Sequence, residues 1–309
     1  MASVDVAIPC YNYGRFLRDC VGSVQSQAIA DLRVLIIDNA STDDGVAVAR
    51  ELAARDKRIS VYARAANLGA QASFNDAVDW ADGDYFMVLC ADDLLAPGAL
   101  ARAVVAMEAD RSISFVYGRD IEFRDTGERP AMPQPDVRPN WKVMPGKAFI
   151  RNRCTHPVAS ASVLVRTRAQ KQAGYYRPSL PYTDDLEMLL RLATLGKVAM
   201  TDAVQGVRRL HGANMSDVTG QSRTHDLAQR EAAFTSFFAQ EGAALGDARK
   251  LKALANRYLA ERAYWWALRS LMRRERRDAA ELLIFALQRS PSMALLPPVN
   301  FLFRPRHAE

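Results

Sequence analysis

Val4-Asp5-Val6-Ala7-Ile8-Pro9-Cys10-Tyr11-Asn12-Tyr13-Gly14-Arg15 alternates apolar residues at Val4, Val6 and Ile8 and turns polar at its end. The alternation predicts a strand that delivers Tyr11 and Asn12 to its carboxyl edge. Phe16 to Val24 then spaces apolar residues at three and four, the period of one helix face. The pattern repeats. Leu32 to Ile37 is a continuous leucine and β-branched run, and Ile59 to Tyr62 and Tyr85 to Leu89 are further strand candidates. Val46 to Leu52 and Phe74 to Trp80 are helical between them, and Pro97 suits the first turn of a helix through Met107. Such alternation predicts an α/β fold, a doubly wound and mostly parallel sheet with helices on both faces. Ligands of such sheets bind beyond the carboxyl ends of the strands, so the residues that follow each strand carry the argument.

Further along, Phe123 to Pro145 loses periodicity and collects Pro130, Pro133, Pro135, Pro139 and Pro145, which predicts an extended surface loop. Ala159 to Val165 reads as a strand, Thr183 as the cap of a helix to about Leu195, and Val198 to Met200 as a last short strand. After His225 the pattern is helical: Leu227 to Gln240, Ala248 to Met272 and Arg277 to Gln288. The expected organisation is one α/β domain over residues 1–224 and a C-terminal helical extension over 225–309.

Composition sets wide bounds. The 309 residues are 49% hydrophobic, enough for a sizeable core, and 41 Lys and Arg against 35 Asp and Glu leave a net charge of +6. That excess is too modest to point to nucleic acid as a partner. Met-Ala-Ser-Val-Asp runs straight into a strand without the features of a signal peptide, and the apolar stretch Ala294 to Phe303 is broken by Pro297 and Pro298. A cytoplasmic location is the expectation. Cys10, Cys20, Cys90 and Cys154 form no Cys-x-x-Cys pair, so reduced thiols are expected.

Three strand ends hold the chemistry. An exposed Tyr11 ring can stack on a nucleobase, and the Asp38 carboxylate can accept the imide N–H of uracil or thymine. Asp38-Asn39-Ala40-Ser41-Thr42-Asp43-Asp44 would equally serve to cap a helix. An acid after the second strand also fits a dinucleotide fold, but that reading needs a glycine-rich first turn, and Gly14 is the only glycine here. The fourth strand ends in Cys90-Ala91-Asp92-Asp93, two adjacent carboxylates that repel unless solvated or bridged by a hard cation such as Mg2+ or Mn2+.

Ile8-Pro9-Cys10-Tyr11-Asn12, Asp38 to Asp43, Arg64 with Asn67-Leu68-Gly69, and Ala91-Asp92-Asp93 together resemble the ordered signature of family-two glycosyltransferases, over about residues 3–217. The resemblance implies a GT-A, Rossmann-like fold, with 1–120 as the nucleotide-sugar-binding half and 121–224 as the acceptor-binding and catalytic half. It implies that Pro9 belongs to the donor site, that Tyr11 and Asp38 hold the base, and that Arg64 and Asn67 lie by the nucleotide and phosphates and Asp92 by the ribose or sugar. Asp93 would ligate Mn2+ or Mg2+. The family usually shows Asp-x-Asp or three acids; here Ala91 leaves one carboxylate fewer.

Tyr182-Thr183-Asp184-Asp185-Leu186-Glu187 resembles the family's acidic pair at a helix start. By that resemblance Asp185 is the base of an inverting transfer, with Asp184 the alternative, although acids favour any helix N-terminus. Arg208-Arg209-Leu210-His211-Gly212-Ala213-Asn214 resembles the segment that closes on the diphosphate, which makes Arg209 a phosphate contact and His211 a second metal ligand. His156, Ser160 and Arg151 would line the acceptor site.

The expected activity is transfer from a nucleoside-diphosphate sugar, with UDP as carrier, to a saccharide or lipid-linked acceptor in cell-surface polysaccharide biosynthesis. Tyr264, Trp265 and Trp266 with Arg273, Arg274, Arg276 and Arg277 suit either peripheral contact with the inner face of the cell membrane or a helical homo-oligomer contact. A sugar nucleotidyltransferase shares the sheet type but would need a Gly-rich basic loop after the first strand. An inactive nucleotide-sugar-binding protein would be expected to lose Asp93 or Asp185.

Overall fold

The computed structural model describes residues 2–125, 132, 134, 139–156, 162–212, 214 and 222–294. The chain forms two compact units, Met1–Phe149 with Ala159–Asn214 and Ile150–Val158 with Met215–Glu309. The first contains β1 (Ser3–Cys10), α1 (Gly14–Gln25), β2 (Asp31–Asp38), α2 (Gly45–Arg55), β3 (Ile59–Ala63), α3 (Ala70–Trp80), β4 (Tyr85–Val88), β5 (Leu94–Leu95), α4 (Ala99–Ala109), β6 (Ile113–Arg124) and β7 (Trp141–Met144). After α5 (Gly146–Arg153) it continues with β8 (Leu164–Arg166), α6 (Thr167–Ala173), α7 (Asp184–Thr194) and β9 (Lys197–Leu210).

The strands order as β3-β2-β1-β4-β8-β6-β9-β5, with β7 added on β9. β3, β2, β1 and β4 are parallel, as the strand-helix alternation requires. β8 runs antiparallel between β4 and β6, while β6 and β9 are parallel to each other. The two faces of β1 and β2 are both buried. Val4, Val6, Ile8, Val34 and Ile36 meet Leu17, Val21, Val48 and Leu100 from α1, α2 and α4. Ala7, Leu35 and Ile37 point the other way, to Ala77 and Val78 of α3. Pro9 is tolerated inside a central strand because β1 has run past β4 there: their pairing ends at Ala7, so the missing N–H breaks no ladder bond.

Two expectations about strands are corrected. Val198 to Met200 is the beginning of a fourteen-residue strand, β9, that continues through the polar Arg208 and Arg209. Its partner β6 offers a ladder along its whole length, and paired backbone outweighs the weak apolar pattern. Within the expected loop Phe123 to Pro145, Trp141–Met144 pairs antiparallel with β9. Of the expected strand Ala159 to Val165, the residues through Ala161 lie outside the described ones.

The second unit contains α8 (Arg223–Ala239), α9 (Ala248–Met272) and α10 (Arg276–Arg289), close to the periods read from the sequence. Ser222 caps α8 by accepting from the His225 N–H at 3.2 Å. The three helices pack on Phe234, Phe237, Leu259, Leu282 and Phe285, and Ala255, Ala263, Ala279 and Ala286 keep the approach close. No helix of the described residues is long and apolar enough to cross a membrane.

Candidate active site

The first wall of the site is built where β1 and β2 end. Asn12 and Ala40 both take left-handed backbone, with φ of 58° and 60°. For Ala40 this costs about 1–2 kcal/mol, and cross-links between the two turns hold it. Asn39 N–H donates to Cys10 O at 2.9 Å, Asn12 N–H to Ser41 Oγ at 2.9 Å and Thr42 N–H to Asn12 Oδ1 at 2.8 Å. Asp43 is part of this scaffold: it accepts from Gly14 N–H and Gly45 N–H, each at 2.9 Å, and so ties the starts of α1 and α2.

Asp38 is different. It is fully buried, and its Oδ2 accepts from Ser41 N–H at 2.9 Å, while Oδ1 has no hydrogen-bond partner among the described residues. A buried carboxylate oxygen without a donor costs about 1–3 kcal/mol or more, a cost that a partner N–H would remove. Tyr11 stands nearby in sequence and is 42% exposed, free to present its ring.

The Arg64 side chain is packed into the wall, while Asn67 is exposed and tied to it by hydrogen bonds. The Arg64 guanidinium is buried and reaches Asp76 Oδ2 at 2.5 Å and Asn39 Oδ1 at 3.1 Å. Asn39 Nδ2 donates to Asn67 Oδ1 at 2.8 Å, and Asn39 Oδ1 also accepts from Leu68 N–H at 3.1 Å. Asn39 therefore joins the β2 end to the loop before α3, a role that nothing in its residue type announces.

The second wall is the turn after β4. Asp93 N–H donates to Cys90 O at 3.0 Å, closing a turn that turns Cys90, Asp92 and Asp93 together. Their ligand atoms lie within 4.8 Å of one another. Burial, and then the charge of Asp92, push the Asp93 carboxyl well above the usual carboxylate range. Two acids held together this closely fit a divalent cation, whose charge would remove the repulsion.

The far side of Asp92 is held by β9 and the residues after it. His211 Nε2 lies 3.1 Å from Asp92 Oδ2, and Asn214 Nδ2 donates to the same oxygen at 3.1 Å. Thus the ring nitrogen that a metal would use faces Asp92, with the His211 ring packed on Phe16 at 4.7 Å and Tyr13 at 5.2 Å between centroids. Arg209 donates its N–H to Asp93 Oδ1 at 3.1 Å, and its buried guanidinium pairs with Asp19 at 3.2 Å and Asp125 at 3.5 Å. It reinforces the wall from behind.

The acids of α7 form the third element. Asp184 is buried, accepts from Gln71 Nε2 at 2.9 Å and from Asp185 N–H at 3.0 Å, and is raised to about 7 by burial and the neighbouring Asp185 charge. Asp185 is only half-buried. Behind them Glu187, fully buried, bonds Arg191 one turn on and Arg177, which fixes the start of the helix. Buried pairs of this kind are costly to break, by about 3–5 kcal/mol.

His156 belongs to the second unit, where its Nδ1 lies 2.9 Å from Thr155 Oγ1 and its ring 6.5 Å from that of Tyr258. Ser160 lies outside the described residues. Asn39 and Asn214 stand in the segments Asp38 to Asp44 and Arg208 to Asn214, and Phe16 and Asp19 in the first helical stretch, yet neither residue type nor spacing points to a role in the site for them or for Gln71.

A model described as Glycosyl transferase family 2 matches residues 5–167, more than half of the chain. The chain belongs to glycosyl transferase family 2. This family-2 chain is 27% identical over 225 residues to the chondroitin synthase of Pasteurella multocida (strain Pm70), covering 72% of itself and 22% of that protein. It is 28% identical over 214 residues to the hyaluronan synthase of Pasteurella multocida, covering 69% of itself and 21% of that protein. It thus spans less than a quarter of the length of these two relatives. Among solved structures, S. aureus TarS 1-349 in complex with UDP-GlcNAc aligns with a TM-score of 0.60 at 13% identity, over 94% of this chain and 91% of that one. The mannosyltransferase PcManGT from Pyrobaculum calidifontis, in complex with GDP-Man and Mn2+, aligns with a TM-score of 0.54 at 16% identity, over 93% and 87%. These neighbours share the GT-A fold.

Proposed function

We propose that this family-2 chain is an inverting glycosyltransferase that moves a sugar from a UDP-sugar to a saccharide or lipid-linked acceptor in polysaccharide biosynthesis. The observation that carries the reading is the Asp38 carboxylate, buried and with one oxygen unpartnered at the end of β2. An imide N–H of uracil satisfies that oxygen; the amino-bearing edge of cytosine brings no N–H at the corresponding ring position. Tyr11 would cover the base. The kinship with chondroitin and hyaluronan synthases and the UDP-GlcNAc complex of TarS agree with such a donor.

Asp92 and Asp93 would hold a divalent cation, Mn2+ or Mg2+, which supplies positive charge to the departing diphosphate. Asp185 at the start of α7 is the proposed base. It is the more exposed of the pair, while Asp184 is buried and bonded to Gln71. Asp185 would take the proton of the acceptor hydroxyl as that oxygen attacks the anomeric carbon from the face opposite the leaving group. Asp184 and Gln71 orient it. A pack of aromatic and arginine residues in the second unit is proposed as the contact to a membrane surface or to another copy.

Calorimetric titration with UDP, with and without Mn2+, tests the donor site, and a panel of nucleotide sugars followed by hydrolysis identifies the sugar. Asp93→Ala is expected to abolish the cation dependence of UDP binding. Unchanged dependence in that variant removes Asp93 from the site. Asp185→Asn is expected to keep UDP binding and lose transfer; full transfer moves the base to Asp184 or elsewhere.

A further inference from the structure

Cys90 has no part in the reading above, yet it shares the turn with both proposed cation ligands. The Asp93 N–H to Cys90 O bond of 3.0 Å closes that turn, and Cys20 Sγ donates to the same carbonyl at 3.6 Å. The backbone of Cys90 is therefore fixed from two sides. Cys90 keeps exposed surface while Asp92 and Asp93 are 7% and 8% exposed, yet its thiol lies in dense surroundings, and burial and the charges of the two acids push it well above its usual range, so a cation there would relieve thiol and carboxylates together. The Cys90, Asp92 and Asp93 donor atoms lie within 4.8 Å of one another. With metal–sulfur and metal–oxygen lengths of about 2.3 and 2.1 Å, ligands of one cation stand at most about 4.4 Å apart, so the three would draw together to share an ion.

We infer that Cys90 gives its sulfur to the cation bound at Asp92 and Asp93, and that the site prefers borderline cations such as Co2+ and Zn2+ to Mg2+. The inference rests on the proposed cation role of those two acids. The chemistry is that of donor softness: Mg2+ demands oxygen ligands in near-octahedral array, while thiolate favours softer ions. As the sulfur–metal bond forms, the thiol proton passes to solvent and no electrons are transferred.

The test uses the full chain, stripped with a chelator and titrated with Co2+ alone. A sulfur-to-cobalt charge-transfer band is expected in the near ultraviolet, and Cys90→Ser is expected to lose it while still binding Co2+ in the calorimeter. Cys90→Asp is expected to change the ratio of Co2+ to Mg2+ affinity at least tenfold in favour of Mg2+. In the wild-type chain, where the other three cysteines are buried, Zn2+ is expected to slow labelling of the one exposed cysteine. Co2+ binding without the band, or an unchanged affinity ratio in both variants, overturns the role of Cys90 and leaves Asp92 and Asp93 as an all-oxygen site. Failure of the wild-type chain to bind any of these cations overturns both.

Discussion

His211 Nε2 and Asp92 Oδ2 stand 3.1 Å apart, and Asn214 Nδ2 reaches the same oxygen from 3.1 Å. Two donors on one carboxylate oxygen fix its plane before any ligand arrives. The residues that hold them come from the end of β9, far from Asp92 in sequence. Outer-shell partners of this kind typically contribute 10–100-fold to metal affinity. His211→Ala is expected to weaken Mn2+-dependent UDP binding by about that factor, read as a calorimetric Kd. An unchanged Kd would show that neither holding Asp92 nor metal ligation by His211 matters.

The unpartnered Oδ1 of Asp38 predicts base selectivity. Wild-type chain is expected to bind UDP more tightly than CDP. Asp38→Asn replaces an acceptor by an amide that can turn a donor to the imide N–H, and a lost hydrogen bond to a charged group is worth about 1.5–3 kcal/mol. That corresponds to about 10–100-fold in Kd for UDP. Equal affinities for UDP and CDP in the wild type would refute the assignment of Asp38 to the base.

Much of this site was legible because strand ends are punctuated. The apolar runs to Ile8, Ile37 and Leu89 each stop at a polar turn, and a parallel sheet gathers those turns at one edge. The rest was hidden for physical reasons. Asn39 and Gln71 act by side-chain bonds to residues 28 and 113 positions away, and no local period encodes such a partner. The apolar pattern marks only three residues of β9 because its later part is stabilised by β6 alongside, so Arg208 and Arg209 sit in a strand despite their polarity. Arg64 and Asn67 illustrate the limit of a motif: their bonds run to Asp76 and Asn39, inside the wall.

That wall can be tested apart from the ligand. Asn39 bonds Arg64, Asn67, the Leu68 N–H and Gly69 O, all four in the turn between β3 and α3. Asn39→Ala strands the buried Arg64 guanidinium, at about 1–3 kcal/mol, while the exposed Asn67, Leu68 and Gly69 groups turn to water. Urea unfolding is expected to show a loss of about 1–3 kcal/mol with an unchanged m-value. UDP binding should weaken with it, because the Asp38 turn is anchored by the same backbone. Asp76→Asn, which alters only the exposed side of the Arg64 pair, is expected to cost less than about 1 kcal/mol.

Asp184 gives a prediction in pH. Its carboxyl is raised from 3.8 to about 7 by burial and by the charge of Asp185. The folded chain therefore keeps a proton there that the unfolded chain has already released, so the native state binds more protons and stability falls as pH rises. The contribution is fully present below the unfolded value and is lost between about pH 4 and 7 as the folded group ionises. Asp184→Asn stays neutral, still accepts from Gln71 and removes this slope. Relative to wild type, the variant is expected to gain about 2–4 kcal/mol at pH 8 and nothing at pH 4, measured as the difference between two urea titrations. Subtraction cancels the opposite slopes of carboxyls held low, such as Asp110 beside Ser112. A difference that does not change with pH would mean that Asp184 is ionised in the folded chain throughout this range. It would then compete with Asp185 as the proton acceptor.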